Sequence, residues 1–172
     1  MLNHDFMTKW YIGIDPGKSG GISAISNTGL KENYRTPKIG NDMDLKECRR
    51  ILSKYPNANV ALENVRSLPG VSAKANFSFG ENKGQWQGII EGLDLPYMMI
   101  MPKAWQKIAW EGVTPVKKAN KKTDTKKTSL IAVTRLFPGE SFLATDRSSV
   151  PHDGIIDARL IAYALKCKLA GK

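Results

Sequence analysis

The chain has 172 residues, 41% of them hydrophobic and 24% charged, which suits one domain with a real core and is short for two. Lys and Arg number 26 against 16 Asp and Glu, and the resulting charge of +10 points to a polyanionic partner, nucleic acid ahead of a membrane surface. No apolar run approaches the roughly 20 residues of a membrane helix, residues 1–5 lack a secretory leader's pattern, and the distant Cys48 and Cys167 fit a reducing compartment without a disulfide framework.

Residues 10–14 (WYIGI) are aromatic and β-branched and run into Asp15-Pro16-Gly17, which predicts a buried strand closed by a turn. Residues 21–26 and 30–35 predict two more strands, joined through Asn27-Thr28-Gly29 as a hairpin. Residues 42–54 change to helical period through Met43, Leu45, Ile51 and Leu52, with a start at Asn41 or Asp42. Residues 60–65 form another apolar run of strand length. Three strands, a helix and a strand predict an α/β domain with a mixed central sheet flanked by helices. A loop at 66–75 follows, then a helix over 79–92, a strand at 97–101 and a helix opened by Pro102 that carries Trp105 and Trp110. Residues 111–125 read as a loop and 126–137 as a helix, 138–151 as a break, and 152–169 as a long terminal helix. The whole of 1–172 reads as one domain.

Acidic residues are the minority charge, so their placement is informative. Asp15 ends the first strand, and Glu63 sits inside an apolar one, where an ionised carboxylate needs compensation. Asp153 and Asp157 are four apart and share a helix face with Leu160, Ile161 and Ala164, which turns both toward the sheet. Four carboxylates on one sheet ask for one or two Mg²⁺ ions, which take a few carboxylates plus water and phosphate oxygens. Such ions activate water and stabilise the leaving oxygen in phosphodiester hydrolysis. Other roles remain open at this point. Asp15 can cap its turn, Glu63 can pair with a buried lysine, and Asp153 can cap the last helix.

These residues resemble the RuvC-type Holliday-junction resolvases of bacteria, phages and plastids. The resemblance rests on Gly13-Ile14-Asp15-Pro16-Gly17 with Ser19-Gly20-Gly21, on Ala61-Leu62-Glu63-Asn64-Val65, on Asn76-Phe77-Ser78-Phe79-Gly80, and on the segment from His152 to Ala158. Their order covers nearly the whole chain. The Phe-Ser-Phe-Gly element and the Pro-His-Asp-Gly start of the last helix look most like the phage and plastid branch. The resemblance implies a ribonuclease-H-like fold, a homodimer, and symmetric nicking of four-way DNA junctions with two Mg²⁺ or Mn²⁺ ions. It implies the cytoplasm of a bacterial or phage-infected cell, or an organelle. By position, Asp15 would bridge the metals, with Glu63 and Asp157 as ligands. The commonest family position of the fourth ligand falls on Gly154; Asp153 is chosen here, and His152 is the alternative because some members use histidine.

Positive charge is concentrated in Lys117, Lys118, Lys121, Lys122, Lys126 and Lys127, a run expected to contact phosphates. The family has a catalytic lysine just before the corresponding helix, and Lys126 or Lys127 holds that place, able to stabilise developing negative charge. Lys103 is a further phosphate contact or a solvated surface lysine. Phe77 and Phe79 follow a loop; the family places an aromatic here against unpaired bases, and Phe77 is the favoured one. Trp86, Trp105 and Trp110 read as packing residues. Two other readings compete with a resolvase. An ATPase of the actin and sugar-kinase type needs a second domain and a second phosphate loop; a non-catalytic or broader branched-DNA binder has no need of Asp15, Glu63 and Asp157 together.

Overall fold

The structure is a computed structural model and describes residues 8–65, 70 and 72–171. The leader reading at 1–5, and residues 66–69 and 71 of the predicted 66–75 loop, lie outside the described residues. In chain order the strands β1 (Trp10–Asp15), β2 (Gly21–Ser26) and β3 (Lys31–Arg35) come first. The small β4 (Lys38–Ile39) and β5 (Asp42–Met43) pair with each other, and α1 (Leu45–Leu52) follows. Then come β6 (Asn59–Glu63), α2 (Ala73–Glu91), β7 (Tyr97–Ile100), α3 (Pro102–Ala109), α4 (Thr125–Leu136) and α5 (Asp153–Leu169).

The main sheet has the order β3-β2-β1-β6-β7, antiparallel across β1–β2–β3 and parallel across β1–β6–β7. This is the mixed sheet predicted from the element order. Side-chain alternation then sorts its two faces. Ile12, Ile14, Val60 and Leu62 join the core under α1 and α2, with Leu52, Trp86 and Ile90. Tyr11 and Ala61 join the other core, under α3, α4 and α5, with Trp105, Val133 and Leu160. By the same alternation Asp15 and Glu63 point to the α5 side, at the C-terminal ends of neighbouring parallel strands.

Glycine sets how closely α5 lies on the sheet. A Cβ added at Gly13 would stand 2.2 Å from the Ala158 carbonyl oxygen and 2.3 Å from the Ala162 nitrogen. One at Gly21 would stand 2.6 Å from the Gly154 carbonyl oxygen, and one at Gly154 would stand 2.4 Å from that of Ser19. These are backbone contacts, so no rotamer change relieves them. Gly13→Ala is therefore expected to cost about 3 kcal/mol of stability, at the upper end of overpacking substitutions. Urea unfolding checks this, and a change below about 1 kcal/mol would mean that α5 adapts.

Two helix starts differ from the sequence expectation. The helix predicted from 42 begins at Leu45, because Asp42 and Met43 pair with Ile39 and Lys38 as a strand. Its cap is Asp44, whose side chain accepts the Glu47 N–H at 3.1 Å, and not Asn41 or Asp42. The helix predicted from 79 begins at Ala73, capped by Ser72, and so takes in Phe77 as well as Phe79. Among the described residues no helix is long and apolar enough to cross a membrane. Both cysteines are free.

Candidate active site

Three carboxylates meet where the C-terminal ends of β1 and β6 pass under the second turn of α5. The β1–β6 register pairs Ile14 with Leu62, so the next residues, Asp15 and Glu63, are neighbours on one face. Asp157 comes from α5, which the Gly13 contact holds against β1. Glu63 is 9% exposed, and Asp15 and Asp157 are half-buried.

The charge of this group is under-compensated. Glu63 is pushed up to about 8, first by desolvation and then by the Asp15 charge, against a lowering hydrogen bond from Trp105. Asp157 is pushed up to about 7 by desolvation and Asp15, against a hydrogen bond from Ser129. Asp15 is pushed up to about 6 by desolvation, opposed by the Gly17 N–H and reinforced by Asp153. Each of the three is thus raised in part by another carboxylate, and the few donors do not offset burial.

Two of the open alternatives are settled here. The buried partner of Glu63 is not a lysine: the indole N–H of Trp105, 1% exposed, donates to Oε1 at 2.7 Å. Trp105 packs edge-on against Trp110, with centroids 6.1 Å apart, which fixes the donor's direction. The cap of α5 is not Asp153 but His152, whose Nδ1 accepts the Ile155 N–H at 3.3 Å. Asp15 does receive the Gly17 N–H, at a long 3.4 Å, so its turn contact and its place among the carboxylates coexist.

Asp153 does not turn toward the sheet with Asp157 as its spacing predicts: at the first position of α5 it stands at the rim, where Lys126 holds its Oδ2 at 2.6 Å with both side chains largely open to solvent. An exposed pair of this kind contributes about 1 kcal/mol or less, so it is easily exchanged. Lys127 is exposed beside it, and its backbone N–H donates to the capping Asp124 at 3.2 Å. Phe79 lines the same hollow as Asp15, with Ser78 and Asn82, whereas Phe77 is 74% exposed and points away from the core. Lys103 is exposed on the first turn of α3. Lys117, Lys118, Lys121 and Lys122 are exposed on the loop between α3 and α4, which is folded back by a Lys117–Thr123 bridge.

Sequence reasoning missed three residues of this site. In the sequence Trp105 reads as packing alone, and nothing there singles out Ser129 or Asn82. Ser129 is 2% exposed on α4 and serves Asp157; Asn82 is 3% exposed on α2 and lines the Asp15 hollow. A polar residue inside an apolar helix face was the available signal. Trp105→Phe removes the donor while keeping an aromatic ring. The Glu63 carboxyl is then expected to titrate about one pH unit higher, because a hydrogen bond to a charged group contributes about 1.5–3 kcal/mol. Carbon-13 NMR of the side-chain carboxyls measures it, and an unmoved Glu63 would remove Trp105 from this role.

The donor set suits a hard divalent cation. It is all oxygen, it carries excess negative charge, and one of its members, Asp15, lines an open hollow. Among the described residues no three His, Cys, Asp or Glu side chains form a ready cage for an ion. Mg²⁺ itself takes one or two carboxylates and completes its shell with water and substrate phosphate.

No protein-family model matches the chain, and no curated protein sequence does. Among solved structures it is similar to Thermus thermophilus RuvC in complex with a Holliday junction substrate. That match has a TM-score of 0.61 and 13% identity, over 95% of this chain and 96% of that one. A second Thermus thermophilus RuvC structure gives a TM-score of 0.55 and 14% identity, over 96% and 97%. At these identities the likeness establishes the fold: α/β, RuvC-like within the ribonuclease-H-like class, with a mixed five-stranded sheet flanked by helices.

Proposed function

We propose that the chain is a structure-selective endonuclease that resolves four-way DNA junctions by symmetric, metal-dependent phosphodiester hydrolysis, leaving 5′-phosphate and 3′-hydroxyl nicks. The observation that carries this reading is the group of Asp15, Glu63 and Asp157, raised by burial and mutual repulsion on a RuvC-like fold. The RuvC of similar fold was solved with a Holliday junction substrate. The net charge of +10 suits the same class of ligand. The phage and plastid branch is favoured by the Phe77-Ser78-Phe79-Gly80 element and by Pro151-His152-Asp153-Gly154.

In this mechanism Asp15, Glu63, Asp157 and Asp153 would hold two Mg²⁺ or Mn²⁺ ions. When bound, such ions supply an activated water and charge stabilisation at the leaving 3′ oxygen. The remaining work belongs to the chain. Trp105 keeps Glu63 oriented and ionisable, and Ser129 does the same for Asp157. Lys126, already at the rim through Asp153, stabilises negative charge at the scissile phosphate, with Lys127 beside it. His152 fixes the start of α5 and so the position of Asp153; as the helix cap it is the weaker choice of fourth ligand. Phe77 offers an exposed ring for stacking on an unpaired base, with Phe79 nearer the carboxylates. Lys103, Lys117, Lys118, Lys121 and Lys122 contact phosphates and set register on the DNA. A two-fold homodimer would place two such centres on opposed strands.

The deciding experiment compares cleavage of a four-way junction, a fork, a flap and linear duplex in Mg²⁺. Paired symmetric nicks in the junction, with at least about tenfold slower cutting of the others, are expected. Equal cutting of all branched forms would broaden the assignment to branched DNA. A metal-insensitive gel shift without nicks would identify a non-catalytic binder instead. Sedimentation at micromolar concentration checks the dimer; a fully active monomer would overturn it.

A further inference from the structure

A second hollow lies on the far side of the 18–20 turn from the carboxylates. Its volume is about 490 Å³, within the roughly 300–1,000 Å³ of small-ligand sites. Lys18 and Gly20 line both this hollow and the one that holds Asp15, so the two share a rim. The Thr36 N–H donates to the Gly20 carbonyl at 3.1 Å, which ties the far wall to the same turn.

Charge in this hollow is unbalanced. Arg35 and Lys38 line it, both exposed, and among the described residues neither is in an ion pair. Lys18 is held by Asp42 at 3.1 Å. The acids on the wall are already engaged. Asp44 accepts the Glu47 N–H as a helix cap, and both Glu47 oxygens accept from Arg50 at 2.6 Å. The net offer to a ligand is therefore cationic.

Hydrogen bonding is unbalanced too. Thr36 is 2% exposed and its hydroxyl has no partner among the described residues; nor does the buried side-chain oxygen of Asn33, which also lines the hollow. The Nδ1 of His152 is used by its own helix, which leaves Nε2 as the other polar atom of a ring that lines the hollow. Buried polar atoms are almost always paired, and an unpaired one costs stability. In the same hollow Arg35 and Lys38 offer charge to a phosphate, while the Thr36 hydroxyl can donate or accept and the Asn33 oxygen can only accept, from a ligand N–H or O–H.

We infer that this hollow seats a nucleotide of the substrate strand adjacent to the one at the carboxylates, its phosphate against Arg35 and Lys38 and its sugar or base edge against Thr36 and Asn33. The strand crosses the shared rim at Lys18 and Gly20. The inference rests on the nuclease reading for the presence of that strand. A free nucleotide or phosphate carries part of the same chemistry, so the test separates the sources.

The test is binding of a fluorescent single-stranded oligonucleotide to the full chain without divalent cation. Thr36→Val is expected to weaken it about tenfold. Its melting temperature should equal or exceed that of the wild type, because valine replaces a hydroxyl the free protein leaves unpaired. The Arg35→Ala/Lys38→Ala pair is expected to weaken binding at least tenfold and to lower the slope of affinity against salt by about 1.4. Lys46→Ala/Arg49→Ala, which removes the same charge from α1, should change affinity by less than about threefold. A deoxynucleoside monophosphate should displace the oligonucleotide at concentrations where inorganic phosphate does not. Unchanged affinity in the Arg35 and Lys38 variant, or equal loss in the α1 variant, overturns the inference. So does phosphate uptake that the variants abolish while oligonucleotide affinity stays the same. If Thr36→Val destabilises the fold, the exposed pair decides alone. Nothing is cleaved in this assay, so its failure leaves the junction-cleavage result, and with it the nuclease reading, untouched.

Discussion

Asp15→Asn is expected to abolish junction cleavage, by roughly 10³-fold or more, while junction binding survives. The amide keeps the size of the side chain but gives up the negative charge. The same substitution should make the protein more stable at pH 8. Burial raises the Asp15 carboxyl from the ordinary 3.8 to about 6, so its ionised form is held at a cost of about 3 kcal/mol or less. Loss of activity with gain of stability is the pattern of a residue kept for chemistry. Nicking of a labelled junction and urea unfolding at pH 8 measure the two halves. Cleavage at the wild-type rate would remove Asp15 from the mechanism.

The second large effect is on stability against pH. Glu63, Asp157 and Asp15 lie at about 8, 7 and 6 in the folded chain, all above ordinary carboxyl values. A raised carboxyl adds stability in full below its unfolded value and loses it as pH climbs through its folded value. Without divalent cation the fold should therefore weaken steadily from about pH 5 to pH 9. The three groups titrate as a cluster, so one broad decline is expected and not three steps. A loss of about 3 kcal/mol would lower the melting temperature by roughly 10 °C at this chain length. Mg²⁺ should restore more stability at pH 9 than at pH 5, because only ionised carboxylates bind it. Melting curves at the two pH values, with and without Mg²⁺, decide the matter. A flat pH response without metal would show that the carboxylates are not strained.

Much of this centre was legible in the sequence because it follows from local rules. Asp15 closes an apolar strand, and Glu63 interrupts one, so each is conspicuous without any structure. Alternation put both on one face once β1 and β6 were neighbours, and helical spacing put Asp157 opposite. What escaped needed tertiary information. Trp105 reaches Glu63 across 42 residues of sequence, and nothing in its own helix announces the hydrogen bond. Ser129 and Asn82 are ordinary polar residues until the packing of α4 and α2 is known. The sequence puts the start of α1 too early because Asp42 and Met43 suit a helix entry locally, yet pairing with β4 claims them. The capping of α5 by His152 was hidden for a similar reason: aspartate is the commoner cap, and Asp153 stood next to it.

The backbone-on-backbone seating of α5 also has a mechanical consequence. At Gly13, Gly21 and Gly154 the backbone of α5 lies directly on that of β1, β2 and the turn between them, with no side chain interposed at those three points. A joint of this kind has no soft layer to creep. Wear elsewhere in the molecule, such as a trimmed methyl group under α1, should shorten the protein's life without altering the gap between Asp15 and Asp157. The chain is therefore tolerant where it is merely held together and unforgiving at three glycines, and a screen of random variants should find its inactive but well-folded members at the carboxylates and its misfolded ones at that seam.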